Sequence, residues 1–153
     1  MESKHNNVRQ YIILRRDAKT VTGEPVSAHK LAVMTSHASM AFLSRMMNKN
    51  CKDINGKHHI EFDMDDELYN GWLNNSFTKI LLSAKNLNDL NKAIIKAKEL
   101  GLVEGEDYFC IRDNCWTELV PDEGETTCFI AIGFKPMDFE KIKDLTKKYQ
   151  LYK

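Results

Sequence analysis

Apolar and polar positions along this chain alternate between two regimes, one with strand character and one with helical spacing. Val8-Arg-Gln-Tyr-Ile-Ile-Leu-Arg15 reads as a buried strand. A polar loop from Asp17 to Glu24 follows, with Gly23, and Pro25 suits a first helical turn. From Ser27 to about Asn48 apolar residues recur at helical spacing (Leu31, Met34, Ala38, Ala41, Phe42, Met46), which predicts one long helix. Its methionine stripe reads as core packing. Between Asn48 and Asp66 the signal weakens to the turn dipeptide Asn55-Gly56 and the alternating His59-Ile-Glu-Phe-Asp-Met64. A surface insertion with a short ribbon is predicted there. A short helix around Asp66 to Leu73 then carries Trp72 inward.

Phe77 to Ala84 is the second main strand. Asn86 caps a helix with Asp89 in its first turn and Leu87, Leu90, Ile94, Ala97 and Leu100 on one face, and Gly101 ends it in a left-handed cap. Tyr108 to Arg112 is a third strand, Thr127 to Ile132 a fourth, and a final helix covers roughly Asp138 to Tyr149. Helical crossovers join the first three strands, so these should be parallel, whereas the short helix-free link to the fourth predicts that it runs antiparallel. The expected fold class is α/β: three layers, α/β/α, around a four-stranded mixed sheet with the first three strands parallel and the last antiparallel. Residues 1–153 are expected to form a single domain with an insertion at about 48–66.

Composition narrows the class. The chain has 153 residues, 42% hydrophobic and 29% charged, with 22 basic against 22 acidic side chains. That balance fits an ordinary globular protein and argues weakly against a dedicated nucleic-acid binder, which usually carries a basic excess. No apolar run is long enough to span a bilayer and the first residues are polar, so a cytoplasmic location is expected. Of the four cysteines, Cys110 and Cys128 sit in strand-like runs where buried free thiols are common, and Cys110 and Cys115 lack CxxC spacing. Cys51 with His58 and His59 is the one conceivable metal cluster, and no second CxxC or HxxxH supports it. No metal and no cofactor are expected.

Candidate chemistry gathers at one sheet edge. In open α/β sheets ligands bind beyond the carboxyl ends of the parallel strands. The first helix begins beside that edge, which places Lys30 there, and seven residues on, His37 returns to nearly the same azimuth. Asp113 follows strand three directly, Thr117 lies in the loop beyond it, and Thr126, Thr127 and Cys128 begin the antiparallel strand at the same rim. Each also has a plain structural reading. Lys30 can be a solvated first-turn lysine, His37 a satisfied core histidine, and Asp113 the head of an Asx turn. From the residues alone the conclusion is a polar pocket of hydrolytic character.

The ordered segments resemble the type II peptidyl-tRNA hydrolases of archaea and eukaryotes over nearly the whole chain. That family opens with a strand ending in Arg-Asp, as does Ile12-Ile-Leu-Arg-Arg-Asp17. Its Gly-Lys-x-Ala-Ala-Gln-x-x-His-Ala is met by His29-Lys-Leu-Ala-Val-Met-Thr-Ser-His-Ala38. A tryptophan near the second strand corresponds to Trp72, and Lys-Ala-Lys-x-x-Gly-Leu to Lys96-Ala-Lys-Glu-Leu-Gly-Leu102. Asp-Ala-Gly-Arg-Thr-Gln is matched in part by Asp113-Asn-Cys-Trp-Thr-Glu118, and the closing Gly-x-x-Pro by Gly133-Phe-Lys-Pro136.

The resemblance implies a metal-free esterase-type hydrolase that cleaves the bond between a peptide and the tRNA 3′ ribose. Its partner would be peptidyl-tRNA, with no membrane involved and a homodimer left open. Lys30, Asp113 and Thr117 are the implied catalytic residues, with His37, Thr127, Cys128 and Met34 in support. Met34 stands where the family has glutamine, Asn114-Cys115-Trp116 where it has Ala-Gly-Arg, and Cys128 where it has a threonine. Those departures define the alternative, a module of the same fold that binds or regulates without the reaction. A third reading makes Cys115 or Cys128 the nucleophile of a different ester or amide hydrolase.

Overall fold

The computed structural model describes residues 7–153. Its core strand β1, Val8–Arg15, pairs in parallel with β4, Lys79–Ala84, and antiparallel with β6, Cys128–Phe134. Strand β5, Tyr108–Asp113, pairs antiparallel with β6 alone. Two short strands complete the sheet: β7, Met137–Asp138, pairs with β1, and β8, Gln150–Leu151, pairs antiparallel with β4. The main path is β5-β6-β1-β4-β8. Strands β2, Cys51–Ile54, and β3, Lys57–Ile60, form a separate hairpin. It turns through Asn55 and Gly56, both at positive φ, as a tight two-residue hairpin requires.

Two expectations need correction. The sheet has six strands rather than four, because two-residue strands carry no periodic signal. Parallel pairing is confined to β1 and β4, and the other pairs are antiparallel. Strand β5 does run in the same direction as β1, since both oppose β6, but β6 lies between them. A crossover fixes a strand's direction and leaves its neighbour undetermined. The mixed α/β character holds.

Helix α1, Ala28–Lys49, begins one residue after its cap, Ser27, whose side chain accepts from the Lys30 amide. Pro25 therefore precedes the helix rather than lying in its first turn. Helix α2, Asp66–Leu68, continues into a π-helical turn at Tyr69–Leu73 that buries Trp72 against Phe42. Helix α3, Leu87–Glu99, is capped by Asn86 and followed by Gly101 at φ 79°. Helix α4, Phe139–Thr146, is capped by Asp138 and stops short of Tyr149.

Alternation along β1 separates the two cores. Ile12 and Leu14 face α1, packing with Met34, Ala38 and Ile130, whereas Tyr11 and Ile13 face α3 and α4, packing with Leu90, Ala93, Ile142 and Leu145. No helix among the described residues is long and apolar enough to cross a membrane.

Two contacts fix the sheet, one at its middle and one at the edge where β1 ends. A Cβ on Gly133 would lie 2.0 Å from the Ala38 carbonyl oxygen, so α1 rests on β6 at backbone distance. The buried Arg15 guanidinium bonds Asp17 at 2.6 Å, Asp122 at 2.7 Å and the Phe129 carbonyl at 3.2 Å. Asp122 in turn accepts from the Phe129 amide at 2.8 Å.

Gly133→Ala should destabilise the fold by at least about 2 kcal/mol in urea denaturation, because overpacking here meets backbone rather than a movable side chain. Asp122→Ala should cost about 3 kcal/mol, since it strips a buried cation of one of its two carboxylates. A loss below about 0.5 kcal/mol in either variant would show that the contact it removes does not hold the sheet.

Candidate active site

The end of β5 and the start of α1 meet in an ion pair. Lys30 Nζ lies 2.6 Å from Asp113 Oδ1, with side-chain exposures of only 14% and 8%. Lys30 is held there by its own amide on the Ser27 cap, and the cap by Glu118, whose carboxylate accepts from Ser27 N at 2.6 Å and Oγ at 2.8 Å. Those two bonds lower the Glu118 pKa, the backbone bond most. Glu118 thus ties the 114–127 loop to the helix. Val21 N to Glu118 O and Val120 N to Lys19 O continue the tie along the β1–α1 loop.

Asp113 also heads an Asx turn, its Oδ2 accepting from Cys115 N at 3.0 Å. The plain reading and the functional one coexist, because a carboxylate has acceptor sites for both bonds and for a further donor. Cys115 adopts φ 61°, the left-handed region, at the place where the resembled family has glycine. That backbone reverses the chain and sends Trp116 outward, 86% exposed.

A cleft of about 220 Å³ opens over the pair. Lys30, Met34 and His37 line it from α1, and Arg112, Asp113, Asn114, Trp116 and Thr117 from β5 and its loop. The structure therefore brings together Lys30, Asp113, Thr117, His37 and Met34. His37 is exposed, so the core-histidine reading is set aside. Met34 is buried to 4% and forms the cleft's apolar floor.

Thr127 and Cys128 stand outside the cleft lining. Thr127 is half-buried before β6, its carbonyl accepting from Asp122 N at 3.0 Å. Cys128 is directly across from Asp113 in the strand pairing, so the two side chains share a face, but Cys128 is fully buried below. Burial, and then Asp122, pushes its thiol up to about 12. Cys115 is likewise raised, by burial first and then by Asp113. Neither thiol is activated, which is the opposite of what a cysteine nucleophile needs.

Sequence reasoning missed Arg112, whose guanidinium sits 4.9 Å over the Phe129 ring, and passed over Asn114 and Trp116 as cleft-lining groups. The signal was available: residues flanking Asp113 at a strand end share its rim. The Cys51–His58 contact is 3.7 Å, and among the described residues no group of three or more metal-ligating side chains occurs.

Comparison with curated proteins gives no match. The family model described as peptidyl-tRNA hydrolase PTH2 matches residues 8–152, which takes in every strand and helix described above. A match across that span joins the two halves of the ion pair within one family pattern, and the chain belongs to the peptidyl-tRNA hydrolase PTH2 family.

Proposed function

We propose that this protein hydrolyses the ester joining a peptide to the tRNA 3′ ribose, with Asp113 and Lys30 as the reacting pair and Thr117 in the pocket wall. The observation that carries the reading is the 2.6 Å Lys30–Asp113 contact at the floor of an open cleft, within a chain of this family. Ester hydrolysis needs an oriented, deprotonated water, a stabilised oxyanion and a proton for the departing 3′ oxygen. Asp113 has a free acceptor site beside its bonds to Lys30 and Cys115 N, so it can hold a water and take its proton. Carbon–oxygen bond formation then places negative charge on the former carbonyl oxygen. Lys30 spends one of its three N–H donors on Asp113 and has two for that oxyanion. As the tetrahedral intermediate collapses, the ester bond breaks and the proton held on Asp113 passes to the 3′ oxygen.

Met34 cannot donate the hydrogen bond that the family's glutamine can. The side-chain amide of Asn114, on the opposite wall, supplies a donor to the same cleft. His37 lines the cleft seven residues along α1 from Lys30 and supports the helical wall. Residues 1–153 act in this reading as one domain, with the β2–β3 hairpin as an appendage.

The test is release of free tRNA from an N-acetylaminoacyl-tRNA by the purified protein. Lys30→Ala and Asp113→Asn should each lower kcat/KM by at least about tenfold, equivalent to about 1.4 kcal/mol of transition-state stabilisation. A folded wild-type protein that releases no tRNA would overturn the hydrolase reading and leave a module that binds or regulates without this reaction.

Alkylation separates this mechanism from thiol catalysis. With thiols held up by burial, Cys128→Ser should keep activity within about twofold, and iodoacetamide at about pH 8 should leave turnover intact. Complete inactivation of the folded protein by either change would point instead to a cysteine nucleophile.

A further inference from the structure

The indole of Trp116 has no work in the chemistry above, yet it is the most exposed large hydrophobic side chain among the described residues, at 86%. No hydrogen bond or ring contact engages it. Its backbone, in contrast, is held on both sides: Cys115 N donates to Asp113 on one, and Glu118 grips Ser27 on the other. A fixed backbone carrying an unpartnered flat aromatic at a cleft mouth is a pre-organised stacking surface. Lys30, within its ion pair, places a cation in the same cleft. Exposed aromatic rings in a cleft are the platforms on which proteins stack the bases of single-stranded nucleic acid.

We propose that Trp116 is the stacking platform for the terminal nucleobase of the tRNA 3′ end. The proposal rests on the peptidyl-tRNA reading and specifies how its nucleic-acid half is held. The nucleobase nearest the scissile ester must lie within one nucleotide's reach of the reacting pair, and Trp116 lines that pair's cleft. A peptide side chain is the competing occupant of the ring, but it varies from substrate to substrate, whereas the terminal base is present in every one.

The two tryptophans make the test direct. Trp72 is 3% exposed and Trp116 86%, so quenching of intrinsic fluorescence by an added nucleotide reports Trp116. The probe is the trinucleotide CCA, with a version lacking the terminal base as control. Saturable quenching is expected with CCA, much weaker quenching with the control, and none in Trp116→Ala. In turnover, Trp116→Ala should raise KM by about tenfold with kcat within about twofold, and Trp116→Phe should restore most of the loss. Normal hydrolysis by Trp116→Ala with no quenching by CCA overturns the stacking role and leaves the hydrolase reading standing. Saturable quenching in a protein that never releases tRNA supports the stacking role while rejecting hydrolysis. A KM penalty that follows the peptide's side chain instead of the terminal base assigns the ring to the peptide and overturns the proposal.

Discussion

The cleft edge depends on how closely helix α1 lies on the sheet. At Gly133 the missing side chain lets the Ala38 backbone come down to a distance that a Cβ would forbid. That contact fixes the helix in height and rotation at one point. Lys30 then lies eight residues back along α1, about 12 Å at 1.5 Å per residue. Cys128, opposite Asp113, lies five residues back along β6, about 17 Å at 3.3 Å per residue. A lysine's long stem spans the remaining difference, and the ion pair closes at 2.6 Å. A looser helix would leave Asp113 buried to 7% with only its Asx turn for company, a costly arrangement for a carboxylate.

Beneath the pair runs a second polar layer, built on Arg15. Arg15 ends β1, reaches Asp122 in the loop before β6, and passes 3.9 Å from the Cys128 sulfur. A buried guanidinium is tolerated because its donors are matched by two carboxylates and a carbonyl. Its consequence is positional: the far end of the 114–127 loop is anchored to the sheet while Glu118 anchors the near part to α1. A wall fixed at both ends costs little ordering entropy when a ligand arrives, which is what positioning an ester would require on the proposed reading.

Long periodic segments were legible in the sequence. Strand β1, helices α1 and α3 and the Asn55-Gly56 hairpin follow from apolar spacing and turn chemistry that local physics enforces. The convergence of Lys30 and Asp113 was legible too, because strand direction alone puts both at one edge. The sheet's neighbour order was not, since no local signal tells β6 to insert between β1 and β5. Nor was the π-helical turn at Tyr69–Leu73, which answers to burying Trp72 rather than to any propensity. Cys128 looked like a rim residue because it begins a strand at the rim; its burial is set by Arg15 and α1, which are remote in sequence. His37 reads as core from its small neighbours, but it lies exposed on the cleft wall.

The departures from the family pattern fall on the wall and floor of the cleft rather than on the pair. Cys115 takes a left-handed backbone that glycine adopts freely, a strain of roughly 1–2 kcal/mol for a side-chain-bearing residue. The Asx bond from Asp113 and the packing of its half-buried thiol in the α1-side core hold it there. The residue after it lines the cleft mouth, where an indole in place of the family's cation alters what the mouth can grip. Met34 acts in the same direction, drying the floor beneath a pair whose interaction strengthens as water is excluded. On the proposed reading, a rigid pair with a rewritten rim separates the two tasks of such a site: chemistry in contacts set by Gly133 and Arg15, and recognition in the side chains of a loop whose backbone is already fixed.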